Sequence, residues 1–315
     1  QGGSGSLVTQ QDYKSNYYYN YKTRVYTSSG SYVSSLTSLG DGNFAMSVRT
    51  YDYGRNSSGY YSNSDSYIAV TDNSLDINNT STSVYQLDNY RTGNWSSGNY
   101  EYKYQYVNDI VSLGDGTFAL AISEYSYSQA TRSSIGGTYL NVMDNSMSTL
   151  SQKFYSNTSS YEAGKYYDYS SRYVSRMVKT GEGTFAVAWN SYSSNYNYIT
   201  KQGNWDSSIN ISTYDNAIEE QSNYYISQGE MWKNDGNTWS WSRSYITDMK
   251  ALDDGSIVVA VNSWNSSYNY DTREHSWSNN ASIKVIDSGG LSFELDLGSI
   301  NRRTKSWSVT QIASL

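Results

Sequence analysis

Few residues in this chain could do covalent chemistry. There is one histidine, His275, and no cysteine, so neither a thiolate nucleophile nor a cysteine-based or multi-histidine zinc site can form. A Ser-His-Asp triad would have to use His275, but its segment DTREHSWSNN lacks the glycines of a nucleophile elbow. We therefore expect His275 to be an exposed loop residue, and the chain not to be an enzyme.

Paired carboxylates, which could carry out glycoside hydrolysis, occur at Glu219-Glu220 and Asp253-Asp254. That reaction needs two carboxyl groups about 5–10 Å apart across a cleft. Adjacent residues of a strand point to opposite faces of the sheet, so we expect both pairs to be solvated surface groups.

An acidic residue recurs in four glycine-containing turns. Calcium needs several oxygen ligands, whereas an aspartate in a turn can accept hydrogen bonds from its own backbone. No DxDxDG-type run surrounds these acids, which favours the backbone role and leaves calcium as the alternative cofactor. The four acids are Asp41, Asp115, Glu182 and Asp254.

Aromatic residues are the main indication of a binding function, since the chain has 36 tyrosines and 9 tryptophans among 315 residues. Flat rings beside amides and hydroxyls suit sugar faces, and Tyr and Trp also anchor protein interfaces. The alternative is packing across strands, because aromatic residues favour strands. We expect seven tryptophans to lie in loops or at loop edges as a binding surface: Trp95, Trp205, Trp232, Trp239, Trp241, Trp264 and Trp277.

A sequence segment that occurs four times positions these residues. YVSSLTSLGDGNFAMSV begins at Tyr32, and its counterparts begin at Tyr106, Tyr173 and Tyr245. Each copy reads as a first strand, an Asp-Gly-type hairpin turn and a continuously apolar second strand. A Tyr/Ser/Asn loop, an alternating third strand and a more polar fourth strand follow. The fold class predicted is all-β, with four four-stranded antiparallel repeat units.

The termini carry incomplete units. SVTQIASL at the end matches the start of a first strand, and GGSGSLVTQQDY near the beginning matches a fourth strand. Unpaired strand edges favour association, and a contact that does not close makes a filament. We expect the assembly strands to carry Leu7, Val8, Val309, Ile312 and Leu315, with closure within one chain or a truncated sequence as alternatives. The predicted single domain, 1–315, divides into 1–31 (N-terminal orphan strand and Tyr-rich loop), repeat 1 (32–105), repeat 2 (106–172), repeat 3 (173–244), repeat 4 (245–307) and 308–315 (C-terminal orphan strand).

The segment (V/I)xx(L/M)xxLxDGxFxVxW that opens each repeat resembles that of secreted bacterial β-propeller-like repeat proteins. The resemblance covers nearly the whole chain. It implies a radial array of four-stranded sheets with a binding or scaffolding role. A stacked solenoid of sheets is the alternative arrangement.

Composition narrows the function further. The net charge is −7 and no Lys/Arg cluster is present, which argues against nucleic acid as a partner. No apolar run approaches the roughly 18 residues needed to span a bilayer. The first residue, Gln1, and the Ser/Asn/Tyr bias predict a secreted, cell-surface product. We expect a structural or adhesive repeat protein that binds other copies of itself and forms an extracellular filament or surface array. A lectin-like propeller that binds surface glycans is the alternative.

Overall fold

The structure, a computed structural model, contains nineteen β-strands and no helix in the part of the chain that it describes. It describes residues 15–20, 22, 25–40, 42–56, 59–72, 82–92, 98–131, 133–162, 165–200, 202–234, 238–300 and 312. The predicted all-β class is confirmed. Within these ranges no helix is long and apolar enough to cross a membrane.

The first ten strands form two five-stranded sheets that contain most of repeats 1 and 2. Sheet 1 has the order β1-β2-β3-β4-β5, and sheet 2 has the order β10-β9-β8-β7-β6. The strands of sheet 1 are β1 Ser15–Asn20, β2 Val25–Gly40, β3 Asn43–Asn56, β4 Gly59–Thr71 and β5 Ser83–Gln86. Those of sheet 2 are β6 Tyr90–Thr92, β7 Glu101–Gly114, β8 Thr117–Ser128, β9 Ser133–Asp144 and β10 Thr149–Ser156.

The other nine strands are hydrogen-bonded to one another in sequence order. Because β15 and β16 meet through only three residue pairs, at Trp232–Asn234, we treat β11–β15 as sheet 3 and β16–β19 as sheet 4. Sheet 3 contains β11 Thr158–Glu162, β12 Tyr166–Gly181, β13 Thr184–Asn197, β14 Gln202–Asp215 and β15 Glu220–Asn234. Sheet 4 contains β16 Thr238–Ala251, β17 Ile257–Asn269, β18 Glu274–Asp287 and β19 Gly290–Ile300. Each repeat thus supplies one antiparallel sheet of four or five strands.

The strands are longer than the sequence predicts. The first strands begin at Val25, Glu101, Tyr166 and Thr238, well before the repeated phrase, and β3 and β4 extend to Asn56 and from Gly59. The prediction of Tyr-rich loops in these segments is wrong, because Tyr alternating with Ser, Thr and Asn suits a half-exposed strand. The short strands β1, β6 and β11 pair with these extensions.

A β-bulge occurs at the same place in all four first strands. In β2 it lies between Val33 and Ser35, and the equivalent register shifts follow Val107, Val174 and Ile246. Residues three apart on a regular strand face opposite ways, but the extra residue of a bulge restores them to one face. This is why the apolar spacing of three between Val33 and Leu36 is compatible with a strand.

Contacts divide the chain into two compact units: unit 1 comprises 1–135 and 139–152, and unit 2 comprises 136–138 and 153–315. Each sheet has two faces, which we name from sheet 1. The leading face carries Val33, Leu36 and Met46, and the trailing face carries Ala45 and Val70. The equivalent positions define the same two faces in the other sheets.

The cores of the two units are built in the same way. In unit 1 the leading-face residues Phe118, Leu120 and Ile122 of sheet 2 pack on the trailing-face residues Ala45 and Val70 of sheet 1. In unit 2 the leading face of sheet 4 packs on the trailing face of sheet 3, with Val259 and Val261 against Ala186, Ala188 and Ile211. Within each unit, therefore, successive repeats stack head to tail.

The predicted hairpin turns are present. Asp115 and Gly116 have φ values of 49° and 70°, the left-handed pair that a two-residue hairpin turn needs. Glycine occupies the second of these positions in every repeat, at Gly42, Gly116, Gly183 and Gly255, each with positive φ. Any other residue would be strained there.

Candidate functional site

The tryptophans predicted to lie in loops lie on strands. Trp205 is on β14, Trp264 is on β17, and both side chains are nearly half exposed, at 45% and 44%. The remaining four are Trp232 on β15, Trp239 and Trp241 on β16, and Trp277 on β18. All six that are described lie on strands, and Trp232 and Trp239 lie at strand ends, as the loop-edge prediction allows. Trp95 lies outside the described residues.

Three neighbouring strands of sheet 3 place two aromatic rings on either side of a serine. Tyr169 on β12 pairs with Ser194 on β13, which in turn pairs with Trp205 on β14. Residues directly opposite one another share a face of the sheet. Tyr169 and Trp205 are therefore two strand spacings apart, about 9–10 Å, with the small side chain of Ser194 between them.

This triplet lines a cavity in unit 2 of about 390 Å³, which we call the tyrosine cleft. Tyr167 extends the Tyr169 wall, since the two rings stack at 6.4 Å with 5° between their planes. Tyr173 and Tyr192 form the inner end and share a hydrogen bond of 2.9 Å between their hydroxyls. The nine lining residues are four tyrosines, three serines, Trp205 and Arg243.

Arg243 is the one ionised residue among those that line the tyrosine cleft. Its guanidinium carbon lies 5.8 Å from the centre of the Tyr192 ring, and its charge interacts with the nearby Tyr173 and Tyr192 side chains. Burial and the bond to Tyr192 raise the pKa of Tyr173 to about 12, so this phenol is neutral at physiological pH. The cleft therefore presents a positive charge with no carboxylate in its lining.

The same triplet recurs in sheet 4, one repeat later. Trp241 on β16 pairs with Ser266 on β17, and Ser266 pairs with Trp277 on β18. A cavity of about 590 Å³, the tryptophan cleft, surrounds it. His275 lines this cleft with its Nε2 2.9 Å from the Ser266 hydroxyl; it is exposed as expected, but on strand β18 and not in a loop.

The sequence predicts tryptophans as ligand contacts but misses Tyr169, Ser194 and Arg243. The signal is present: aromatic residues at every second position, as in Tyr167, Tyr169 and the β16 segment WSWSR, put their rings on one face of a strand. It is recognised only when the segment is treated as a strand.

Asp254 among the predicted turn acids bonds its own backbone, and so do aspartates in the turn before the last strand of a repeat, such as Asp144 between β9 and β10. The Asp254 carboxylate accepts the Ser256 N–H at 2.9 Å, and Asp144 in the second turn of repeat 2 accepts the N–H groups of Ser146 and Ser148 at 2.9 and 3.0 Å. The Ser256 hydroxyl also donates to Asp254, and the Ser146 hydroxyl donates to Asp144. These hydroxyl bonds, followed by the backbone bonds, hold the pKa of both aspartates below the usual value. Asp115 and Glu182 lie at their turns, and Asp41 is outside the described residues. Within the described ranges no three His, Asp or Glu side chains are grouped as metal ligands would be.

The leading face of sheet 1 is buried at Met46, Val48 and Ala69, but its first strand is exposed where the counterparts are buried. Val33 is 36% and Leu36 51% exposed, while the equivalent Ile110 and Met249 are 5% and 3% exposed. Phe44, on the same face, is only half-buried, although Phe118, Phe185 and Ile257 at the equivalent positions are buried.

The trailing face of sheet 4 is likewise only partly exposed, since Ala260 and Ala281 on it are buried. Ile283 and Val285 are half-buried, whereas Ile68 at the same place in sheet 1 is fully buried. On the last strand, Phe293 and Leu295 pair with Val285 and Ile283 and are 54% and 45% exposed. The two end faces of the repeat series are thus both apolar and both incompletely covered.

Ile312 is the only predicted assembly residue that the structure describes. It is half-buried, and its backbone N–H donates to the Asp248 carboxylate at 2.7 Å. The equivalent N–H in repeat 2, that of Ile110, donates to Ser35, the residue of repeat 1 that matches Asp248, at 3.2 Å. Ile312 therefore contacts repeat 4 in the way that repeat 2 contacts repeat 1. Leu7, Val8, Val309 and Leu315 lie outside the described residues.

The comparisons with protein-family models and with curated proteins give no function for this chain. No protein-family model matches the chain, and a search of curated proteins finds no match to it. The function is therefore inferred from the two end faces and the two aromatic clefts, and the likeness to propeller repeats stays a prediction.

Proposed function

We propose that this protein is a structural and adhesive component of an extracellular surface that assembles head to tail through the ends of its repeat series. The observation that carries the proposal is the partial exposure of the two end faces, at Val33 and Leu36 in sheet 1 and at Phe293 and Leu295 in sheet 4. Within each unit, faces of these two kinds pack on each other. Between two copies in line, a sheet made from the terminal segments can repeat that contact on both of its faces.

The chemistry of the end faces supports association. Burying one large apolar side chain contributes about 1.5–3 kcal/mol, and Leu36, Phe293 and Leu295 are each nearly half exposed or more. Apolar side chains that form one continuous surface commonly mark an interaction site. Because the two faces differ, the contact is heterologous and continues into a filament unless it closes into a ring.

The terminal segments complete the contact in this proposal. The bond from Ile312 to Asp248 supports placing segment 308–315 as the first strand of a further repeat on sheet 4. We propose that this strand and the N-terminal segment of the next copy, with Leu7 and Val8, form the sheet between the two end faces. A radial, propeller-like order of the sheets within each copy is part of this proposal.

The extracellular role rests on composition and surface. Long strands rich in Tyr, Ser and Asn expose many neutral hydroxyl and amide groups, and only 16% of residues are charged. Such a surface suits contact with other copies and with glycans, and it is unsuited to nucleic acid.

Sedimentation velocity and electron microscopy of the full chain test the proposal. We expect wild-type protein to form concentration-dependent filaments and Leu36→Asp to remain monomeric, because a charge at the interface centre is desolvated without a partner. Ile199→Asp is the matched control, since Ile199 is 72% exposed in a turn of sheet 3. Wild-type protein that is monomeric at all concentrations, or equal loss of assembly in both variants, would contradict the proposal.

A further inference from the structure

The tyrosine cleft is built to hold a flat ring. Its two walls, Tyr169 and Trp205, stand on strands about 9–10 Å apart, and Ser194 between them leaves the space open. A six-membered ring that contacts an aromatic wall on each side needs about 3.5–4 Å to each wall. Strands at this spacing leave room for one sugar ring between the two aromatic side chains.

The polar groups of the cleft narrow the ligand class. The serine hydroxyls and the tyrosine hydroxyls can exchange hydrogen bonds with sugar hydroxyls. Arg243 adds a guanidinium, whose five N–H donors outnumber the two neighbouring hydroxyl oxygens of Tyr173 and Tyr192. A guanidinium beside neutral tyrosines selects a carboxylate, which it can bind through two parallel hydrogen bonds.

The tryptophan cleft provides an internal comparison. It has the same aromatic-serine-aromatic triplet, but its lining contains His275 in place of an arginine. A recurrence of the triplet in successive repeats is what a polysaccharide with successive sugar units would use. Comparing the two clefts also separates the contribution of the aromatic rings, which both clefts have, from that of the arginine, which only the tyrosine cleft has.

We propose that the tyrosine cleft binds a uronic-acid unit of an acidic polysaccharide, with the sugar ring between Tyr169 and Trp205 and its carboxylate on Arg243. The tryptophan cleft binds a further unit of the chain without selecting for charge. This binding goes beyond self-assembly, and it gives the assembled protein an adhesive surface for acidic glycans.

Calorimetric titration of the full chain with oligogalacturonate, and with the same oligomer methyl-esterified, tests the proposal. The ester keeps the ring and removes the charge. Wild-type protein is expected to bind the free acid at least about tenfold more tightly than the ester, as charge-assisted hydrogen bonds predict. In Arg243→Gln this preference disappears, whereas Arg273→Gln, which removes a charge from an exposed turn of sheet 4, keeps it.

Two further variants test the ring contact. Trp205→Ala is expected to weaken binding of both oligomers, while Tyr225→Ala, which removes a ring 66% exposed on β15, leaves it unchanged. Ser194→Phe fills the gap between the walls and should abolish binding even if Trp205→Ala proves unstable. Absence of binding by wild-type protein, an acid preference that survives Arg243→Gln, or equal losses from Trp205→Ala and Tyr225→Ala would overturn the proposal. Titrating the Leu36→Asp variant with oligogalacturonate distinguishes failure of glycan binding from failure of assembly, because this variant should bind the oligomer without assembling.

Discussion

The two halves of each long strand differ in composition and in burial. In β13 the half next to the Gly183 turn, residues 185–190, is buried on both faces, whereas the half beyond it, residues 191–197, alternates between half-buried and exposed. The first half is almost wholly apolar, and the second contains only Ser, Tyr and Asn. We call them the inner and outer halves.

This difference separates stacking from binding. Inner halves are covered on both faces, so they fix how repeats stack and leave an apolar surface wherever the series ends. Outer halves do not need a partner on either face, because their hydroxyl and amide groups remain hydrated. Their rings can therefore line clefts such as that around Tyr169 and Trp205. The proposed assembly and the proposed ligand binding can then change independently of each other.

The largest difference is expected when one phenyl ring is removed from an inner half and one from an outer half. Phe118→Ala removes a fully buried inner ring and should lower the free energy of unfolding by about 3–5 kcal/mol. Phe154→Ala removes a ring that is 37% exposed near the outer end of β10, and should cost about 1 kcal/mol. Urea denaturation measures both values. Equal losses would show that the two halves contribute alike.

A smaller effect is expected at high pH in an outer half. Burial, and then the hydrogen bond with Tyr125, raises the pKa of Tyr102 to about 12, whereas an unfolded tyrosine ionises near pH 10. The neutral form is favoured in the fold, so this stabilisation is complete below pH 10 and is lost as the pH rises towards 12. In Tyr102→Phe the melting temperature should fall less between pH 10 and 12 than in wild-type protein. In Tyr225→Phe, which changes an exposed ring, the melting temperature should depend on pH as in wild-type protein. If Tyr102→Phe behaves in the same way, the ionisation of Tyr102 is not coupled to folding.

The inner halves could be predicted from the sequence, and the outer halves could not. Phe118 and Ala119 belong to a continuous apolar run beside an Asp-Gly turn, and both signals are local. The Tyr/Ser/Asn segments have the composition of loops, and only pairing with a neighbouring strand makes them strands. The strand that contains Trp205 was therefore predicted as a loop.

The site was predicted in part. Trp205, Trp241 and Trp277 could be selected as aromatic residues in polar surroundings, but their alignment with Ser194 and Ser266 depends on the register between strands. The cation of the tyrosine cleft, Arg243, comes from β16 of sheet 4, far from Tyr173 in sequence. The bulge after Val33 is likewise a property of strand pairing. The repeated segment shows that its apolar residues are three positions apart, but it does not show that a bulge puts them on one face.

The most direct test of the assembly is a mixture of two variants, each with one end face disrupted. Leu36→Asp disrupts the leading face, and Phe293→Asp disrupts the trailing face, where the ring is 54% exposed and its loss should not affect folding. Each variant keeps one intact face. We predict that each is monomeric alone and that an equimolar mixture sediments as a one-to-one dimer and nothing larger. A mixture that stays monomeric, beside wild-type protein that is also monomeric, would show that the end faces are covered within one chain and would contradict head-to-tail assembly.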